Sequence, residues 1–251
     1  MQAETIYGIH PVLEALQAER RQVEKLWVVL RRPGAGLRRI TTLAAQRGIP
    51  VSQVEHRELR HLLGHDQHQG VVALVRPLGY EGFEAAVTAL TQSPGPHTWL
   101  LLDGVTDVGN FATLIRSAVA FGVEVIAVPR HHSVGLTPVV AKRSAGAVEK
   151  VSVVQVGNVA RALESLKQAG CWVYGTAAHT GSNVGQVLWP ERVVLIIGAE
   201  GRGMRRLVRE QCDELIRIPM SSDIDSLNAA VAGSIVLSHI WAQRAAALTD
   251  D

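Results

Sequence analysis

Short apolar runs alternate with helical patterns along the C-terminal part of the chain, and this alternation restricts the fold more than any other feature. The apolar runs have the length of buried strands and lie at Trp99–Asp103, Val123–Val128, Cys171–Thr176, Val193–Ile197 and Glu214–Ile218. Helical patterns separate them at Asn110–Phe121, Pro138–Gly146, Val159–Gly170, Gly203–Gln211 and Ser226–Ala247. Continuously apolar strands are typical of a parallel sheet covered by helices on both faces. We therefore predict an α/β fold with a mostly parallel sheet.

The first third of the chain alternates in the same way on a smaller scale. Its predicted helices are His10–Arg20, Leu37–Arg47 and His56–Leu63, and its predicted strands are Val23–Leu30, Val51–Val54 and Gly70–Val75. Seven Gly, Pro and Ser residues then lie between Arg76 and Thr98, which is typical of an interdomain connection. We predict a small α/β domain at 1–76, a linker at 77–97 and a larger α/β domain at 98–251.

Charge and cysteine content narrow the class of protein. Residues 1–76 carry 11 Lys and Arg against 7 Asp and Glu, whereas residues 77–251 carry 14 against 16, which favours an anionic partner for the N-terminal domain. Cys171 and Cys212 are too far apart for a CxxC site. No apolar run approaches the roughly 20 residues that cross a bilayer, and the N-terminus lacks a signal-peptide pattern. We expect a soluble, cytoplasmic protein.

Two predicted strands end in loops with unusual polar residues. After the strand at Trp99–Asp103 comes Asn110, and Arg116 follows six residues on; taken alone, Asn110 is also a good helix N-cap and Arg116 a solvated charge. After Val193–Ile197 comes GAEGRGMRR, which holds Glu200 between glycines. Its GxxGxG order reverses the dinucleotide fingerprint, and a tight turn without a ligand fits the glycines equally well.

A third loop follows the strand at Glu214–Ile218 and contains the sequence DSLN at 225–228. We expect Ser226 to cap the last helix, which leaves Asn228 inside the first turn without a structural role. Ligands of parallel sheets bind at the carboxyl ends of the strands. We therefore expect the polar residues of the three loops to converge at one site: Asn110, Arg116, Glu200 and Asn228.

The three stretches resemble the motifs of the SpoU (TrmH-like) RNA ribose 2′-O-methyltransferases of the SPOUT superfamily. The matching segments are N110…R116, IIGAEGRGM at 196–204, and IPM…DSLN at 218–228. Elsewhere, IYGIH at 6–10, HQGVV at 68–72 and MRRL…CDELI at 204–216 resemble the members that modify a guanosine of large-subunit rRNA. The resemblance thus covers nearly the whole chain.

This resemblance implies a fold, a reaction and an assembly. The fold would be a SPOUT-type parallel sheet with a C-terminal trefoil knot, preceded by a small L30e-like α/β RNA-binding domain. The reaction would move a methyl group from S-adenosyl-L-methionine to an RNA ribose 2′-hydroxyl, most plausibly of a 23S rRNA guanosine, without a metal. The expected assembly is a homodimer in which one subunit's pocket receives residues from its partner.

The resemblance also implies roles for individual residues. The catalytic set would be Asn110, Arg116, Glu200, Ser226 and Asn228. The cofactor would contact Thr176, Ala177, Ile197, Gly198, Gly201, Ile218, Met220 and Leu227. A guanidinium is a very poor base, so we expect Arg116 to hold a phosphate and stabilise the developing alkoxide. Asn110 and Asn228 would orient the nucleotide and loops, and Glu200 would fix Arg116 or bind a ribose hydroxyl.

A basic loop in the N-terminal domain is the candidate RNA contact. Two arginine pairs flank the flexible sequence PGAG at 33–36: Arg31, Arg32, Arg38 and Arg39. Such a loop suits the phosphates of irregular RNA, although a solvated basic surface has the same composition.

Several alternatives stay open. Ala112, Ser222 and Ala230 stand where the family usually has Gly, Gly and Ser, so a non-catalytic RNA-binding or ribosome-assembly factor is possible on this sequence, as is a tRNA substrate. A nucleotide-dependent oxidoreductase is disfavoured because the forward glycine fingerprint is missing.

Two histidine groups have a structural interpretation that we favour over a functional one. His61, His65 and His68 are spaced like metal ligands, but no Cys or acidic cluster accompanies them, and we predict no metal site. The pair His131–His132 follows a strand end and could line a pocket, although a surface loop is the simpler interpretation.

Overall fold

The structure is a computed structural model that describes residues 3–29, 31, 34–221 and 225–249. The predicted RNA contact Arg32 and the motif position Ser222 lie outside the described residues. The strands are β1 (Glu4–Tyr7), β2 (Val23–Val28), β3 (Val51–Gln53), β4 (Val71–Val75), β5 (His97–Asp103), β6 (Val125–Pro129), β7 (Ser152–Val156), β8 (Trp172–Thr176), β9 (Ser182–Asn183), β10 (Arg192–Gly198) and β11 (Glu214–Arg217). The α-helices are α1 (Ile9–Ala18), α2 (Ala35–Gln46), α3 (His56–Leu63), α4 (Phe83–Gln92), α5 (Val108–Ala120), α6 (Pro138–Arg143), α7 (Val159–Gln168), α8 (Arg206–Glu210) and α9 (Ala229–Thr249).

The chain forms two compact units. One comprises residues 1–79 together with 135–150, and the other comprises 80–134 together with 151–251. The segment 135–150 is part of the first unit, although it follows β6 in the chain and the predicted boundaries assign it to the larger domain. Those predicted boundaries remain a prediction.

The first unit is built on a mixed sheet with the strand order β1-β4-β2-β3. Strand β4 pairs antiparallel with both β1 and β2, and β2 pairs parallel with β3. The segment 135–150 is fixed to this unit by a buried ion pair, because the guanidinium of Arg21 binds the carboxylate of Glu149 and also donates to Glu4 Oε1 at 2.7 Å. Both charged ends of the Arg21–Glu149 pair are almost fully inaccessible to water.

The second unit contains a seven-stranded parallel sheet with the order β7-β6-β5-β10-β8-β11-β9. Its central strands β5 and β10 are in register, with Leu102 opposite Ile197 and Asp103 opposite Gly198. All residues of β5 and all but the first residue of β10 are buried. The predicted α/β fold with a parallel sheet is confirmed, and the carboxyl ends of its strands meet at one edge.

The last helix runs from the carboxyl ends of the strands of the second unit to their amino ends. Near the C-terminal end of α9, Arg244 donates hydrogen bonds to the carbonyl oxygens of His97 (3.0 Å) and Glu191 (2.8 Å), at the amino ends of β5 and β10. In the second turn of α9, Gly233 lacks a side chain where a Cβ atom would lie 2.6 Å from Leu114 of α5. The first turn of α9 is therefore held at the carboxyl ends of the strands.

Several predicted boundaries differ from the observed ones for backbone reasons. The helix predicted at 138–146 ends at Arg143 in the structure, because Ala145 and Gly146 have left-handed backbone angles (φ 52° and 83°). Strand β7 was not predicted, since SVVQV is interrupted by Gln155 and lacks a long apolar run. Within the described residues, no helix has both the length and the apolar character needed to cross a membrane.

Candidate active site

Three polar side chains from three loops meet at the carboxyl edge of the parallel sheet. Asn110 Nδ2 donates to Glu200 Oε1 at 2.9 Å. Asn228 Nδ2 donates to Asn110 Oδ1 at 2.8 Å and to the same oxygen of Glu200. These residues are separated by up to 118 positions in the chain, and they form one hydrogen-bonded cluster, which we call the Asn–Glu–Asn cluster.

Backbone contacts fix the orientation of both amides in this cluster. Asn228 Oδ1 accepts hydrogen bonds from the N–H groups of Ala230 (2.9 Å) and Val231 (3.1 Å), so its Nδ2 must point toward Glu200 and Asn110. Asn110 must then offer its oxygen to Asn228 and its nitrogen to Glu200. Only Oε1 of Glu200 is used, and within the described residues Oε2 has no hydrogen-bond partner.

The helix caps differ from the sequence interpretation. Asn228, rather than Ser226, caps α9, because the helix begins at Ala229 and the Asn228 side chain accepts from its first turn. The prediction that Asn228 lies within the helix without a structural role was wrong. Asp107 caps α5 by accepting from the backbone N–H of Asn110 at 2.7 Å, so the side chain of Asn110 is available to the cluster.

Arg116 does not join the cluster within this chain. It is exposed on α5, and within the described residues it makes no hydrogen bond or ion pair and lines none of the cavities described below. Six residues correspond to about 600° around a helix, so Arg116 projects about 120° away from Asn110. The expected contact between Glu200 and Arg116 is therefore not present in a single chain.

A cavity of about 160 Å³ lies beside the Asn–Glu–Asn cluster. All eight residues predicted to contact the cofactor line it, together with Glu200 and Ser226. Six further lining residues were not predicted from the sequence, because they are small or apolar and carry no motif of their own. They are Ala178, Ala199, Gly203, Ile216, Ala229 and Ala232. Among the residues that the structure describes, the lining is largely apolar side chains and backbone, and Glu200 supplies its one acidic side chain.

The wall of this cavity depends on a tight glycine-rich turn. Ala199 and Gly203 exchange two backbone hydrogen bonds of 3.1 and 2.8 Å, which closes the turn that carries Glu200. A Cβ atom on Gly198 would lie only 2.3 Å from the backbone of Gly203 and Met204. Gly201 and Gly203 have φ angles of +74° and +67°, which few other residues adopt. The glycines let backbone groups approach the cavity closely.

Neither cysteine is suited to nucleophilic catalysis. Cys171 and Cys212 are free thiols, and burial raises the pKa of each to about 11. Both thiols therefore stay protonated near neutral pH, whereas a cysteine nucleophile reacts as the thiolate. Among the described residues, no group of three or more His, Cys, Asp or Glu side chains is arranged to hold a metal ion.

Two further cavities adjoin the cluster. One, of about 120 Å³, is lined by Asn110 and Glu200 together with residues that include Gly104, Arg202 and Ala229. The other, of about 320 Å³, lies between the ends of β5, β6 and β10. Its polar lining was not predicted, apart from the suggestion that His131 and His132 could face a pocket.

The predicted RNA contacts lie on the first unit. Arg31, Arg38 and Arg39 are all exposed, the last two in the first turns of α2. Helix α2 begins directly after Gly34, whose backbone is extended. The described arginines of the loop thus share one end of α2.

Comparison with known proteins gives matches over both units. The family model described as "SpoU rRNA Methylase family" matches residues 97–238. A second model, described as "RNA 2'-O ribose methyltransferase substrate binding", matches residues 5–81.

Individual relatives match over nearly the full chain. The 23S rRNA (guanosine-2'-O-)-methyltransferase RlmB of Pseudomonas putida is 41% identical, over 97% of this chain and 98% of its own. The putative TrmH family tRNA/rRNA methyltransferase YacO of Bacillus subtilis is 35% identical, over 97% of each chain. Among solved structures, the SpoU methyltransferase AviRb of Streptomyces viridochromogenes, in complex with AdoMet, has a TM-score of 0.79 at 24% identity and covers 97% of this chain and 91% of its own. At that identity the structural likeness supports the fold.

Proposed function

The chain belongs to the SpoU rRNA methylase family, and from this premise we propose that it methylates a guanosine ribose of 23S rRNA at the 2′-hydroxyl. It is an RNA 2′-O-methyltransferase that uses S-adenosyl-L-methionine. The observation that carries the proposal is the meeting of Asn110, Glu200 and Asn228 beside a cavity walled by glycine and apolar residues.

The cavity residues fit the cofactor chemically. Adenine and a thioether chain need shape and backbone hydrogen bonds more than charged partners, and Gly198 and Gly203 provide close backbone approach. The carboxylate of Glu200 suits a neighbouring positive sulfonium. When bound, S-adenosylmethionine supplies a methyl group already attached to a good leaving group. The chain must then position the ribose and exclude water.

The Asn–Glu–Asn cluster would hold the ribose for this reaction. Because Oε1 of Glu200 is occupied by two amides, its Oε2 is left to accept a hydrogen bond from the 2′-hydroxyl and to hold the departing proton. Asn110 and Asn228 keep that carboxylate from rotating. Ser226, which lines the cofactor cavity, would shape the loop that leads into α9.

The assembly and topology expected of the family also belong to this proposal. We propose a homodimer in which Arg116 reaches the partner subunit's site, since Arg116 is exposed and remote from the cluster of its own chain. The C-terminal segment would form a trefoil knot that makes the cofactor pocket. The rRNA substrate would place the protein in the cytoplasm.

Methylation assays with separate RNA pools test the function. The purified protein, given labelled S-adenosylmethionine, is expected to label a 23S rRNA transcript, and mapping of the product should place the label on a guanosine ribose. The Asn110→Ala variant should lose about 100-fold or more of the rate while its thermal unfolding stays near that of the wild type. Labelling of tRNA instead would support the tRNA alternative. RNA binding without any labelling would support a non-catalytic factor.

Neutralising the basic loop of the first unit should weaken RNA binding in a salt-dependent way. A triple variant (Arg31→Gln, Arg38→Gln, Arg39→Gln) removes three cations that we propose contact phosphates. On single-stranded RNA, the slope of log affinity against log salt concentration should flatten by about 0.7 for each phosphate that the variant no longer neutralises, or roughly 2 in all. Filter binding at several salt concentrations measures this slope.

A charge-matched control is available in the same unit. Arg57, Arg60 and Arg76 are exposed arginines outside the loop, and they pair with the carboxylates of Glu55, Asp66 and Glu24 respectively. Their triple Gln variant should leave the slope close to the wild-type value. An equal flattening in both variants would mean that net charge, and not the loop, determines binding.

A further inference from the structure

Resting on the proposed function, we propose that the 320 Å³ cavity binds the base of the nucleotide whose ribose is methylated and recognises the acceptor edge of guanine. We call it the base pocket. It is lined by ten residues: Asp103, Gly104, Pro129, His131, His132, Ala199, Arg202, Gly203, Met204 and Arg205. Its volume is about twice the 160 Å³ of the cavity beside the Asn–Glu–Asn cluster.

The base pocket lies where the base of a bound nucleotide must go. Ala199 lines all three cavities. Gly104 and Arg202 line both the base pocket and the small cavity that contains Asn110 and Glu200. A ribose placed at the Asn–Glu–Asn cluster would have its methyl donor on one side and the base pocket on another. The shared lining residues make the base pocket a neighbour of the ribose position.

One wall of the base pocket is a guanidinium held in place by a buried carboxylate. Asp103 has a fully buried side chain and accepts two hydrogen bonds from Arg205, from its backbone N–H at 2.8 Å and from Nε at 2.7 Å. Nη2 of Arg205 also lies 2.6 Å from Asp103 Oδ1 as an ion pair. Within the described residues, Nη1 of Arg205 has no partner. Asp103 thus orients Arg205 and leaves one fixed N–H donor group for a ligand.

Three other residues of the pocket lining have side chains with no structural role among the described contacts. The side chains of His131, His132 and Arg202 are exposed and make no hydrogen bond or ion pair within the described part of the chain. His132 also has a left-handed backbone (φ +59°), which is uncommon outside glycine and is found at ligand-binding positions. His131 and His132 both lie just after the end of β6.

The composition of the pocket favours a base over a backbone phosphate. Asp103 neutralises Arg205, so among the lining residues that the structure describes Arg202 is the one permanent cation without a carboxylate partner. Pro129 and Met204 add apolar surface, and histidine rings and guanidinium planes stack on bases. Arginine donors pair with O6 and N7 of guanine, whereas adenine offers an amino donor in place of O6. The donors of this pocket therefore match guanine.

Substrates that differ in one base test this inference. Short RNAs of the methylated region would carry guanosine, inosine, adenosine or 7-deazaguanosine at the target position. The wild type should accept inosine, which keeps O6 and N7, and should discriminate against the other two analogues by about tenfold or more in kcat/KM. The variants Arg202→Ala, His131→Ala and His132→Gly should reduce the guanosine-to-adenosine ratio by about tenfold. Glycine suits the left-handed angle at 132, so the last change removes the ring without straining the backbone.

The control and the outcomes separate this proposal from the proposed function. Arg161→Ala removes an exposed arginine of α7 that lines none of the three cavities, and it should leave the ratio unchanged. An unchanged ratio in all three pocket variants overturns the inference. Equal losses on every RNA with a flatter salt dependence also overturn it, because they indicate a phosphate site. If the wild type methylates no RNA, the proposed function fails, and the ratio of RNA dissociation constants for guanosine and adenosine still tests the pocket.

Discussion

Replacing Gly198 by alanine is expected to lower the affinity for S-adenosylmethionine by at least about 100-fold, or about 2.7 kcal/mol. The added Cβ atom would lie 2.3 Å from the carbonyl carbon of Gly203 and the nitrogen of Met204. Both contacts are with backbone, so no side chain can rotate away, and the turn that carries Glu200 must shift. Overpacking of this kind typically costs about 1–3 kcal/mol of stability. Isothermal titration calorimetry measures the affinity, and thermal unfolding measures the stability.

The same substitution at Gly157 serves as the control. Gly157 follows β7 in the same unit, has no left-handed backbone, and has open space where a Cβ atom would be added. Gly157→Ala should therefore bind the cofactor as the wild type does. Wild-type affinity in Gly198→Ala would mean that the cofactor does not depend on the close approach of this turn.

The residues that the resemblance assigns to the cofactor line one cavity because the parallel sheet brings their loops together. Parallel strands end at one edge, so residues at the carboxyl ends of β8, β10 and β11 are neighbours. Thr176, Ile197 and Ile218 line one cavity for this reason. Their contribution to cofactor binding is still a prediction, since the geometry brings them together without testing what they bind.

Local signals were less reliable at helix ends. Ser226 and Asn228 are both good capping residues, and the prediction that Ser226 is the cap was wrong. The observed choice depends on tertiary contacts, because capping by Asn228 directs its amide nitrogen toward Glu200, which lies 28 residues earlier in the chain. Asn228 therefore caps α9 with its side-chain oxygen and joins the cluster with its side-chain nitrogen.

The base pocket could not be found from sequence because its key contact is long-range. Asp103 and Arg205 are 102 residues apart, and neither stands out: one ends a strand and the other belongs to a basic run. His131 and His132 follow a strand end, which was the one available signal. Only the register of β5 beside β10 shows that these residues face one space.

The departures from the family pattern affect the site less than their positions suggest. Ala230 contributes its backbone N–H to Asn228 Oδ1, a contact that does not need a serine side chain. Ala112 is buried on α5 and is not among the residues of the Asn–Glu–Asn cluster. The cluster forms with both alanines present, which favours an active enzyme over a non-catalytic factor.

Mixing two inactive variants should restore methyl transfer if Arg116 acts on the partner subunit's site. Arg116→Ala removes the exposed guanidinium, and Glu200→Ala removes the acceptor shared by Asn110 and Asn228. Each homodimer should lose roughly 1,000-fold of the rate, since each lacks a group proposed to act at the reacting hydroxyl. Neither change introduces a backbone clash, so both proteins should fold.

A heterodimer of these variants would contain one complete site. The Arg116→Ala chain keeps an intact cluster, and the Glu200→Ala chain supplies the missing arginine to it. If subunits of an equal mixture exchange at random, half of the dimers are mixed and each has one working site of two, so about one quarter of the wild-type rate should return. Differently tagged, co-expressed chains allow the mixed dimer to be purified and assayed against both homodimers. An inactive mixed dimer would place Arg116 at the site of its own chain, because a group that acts within its own chain cannot complement a defect in another. An active Arg116→Ala homodimer would instead place Arg116 outside the mechanism.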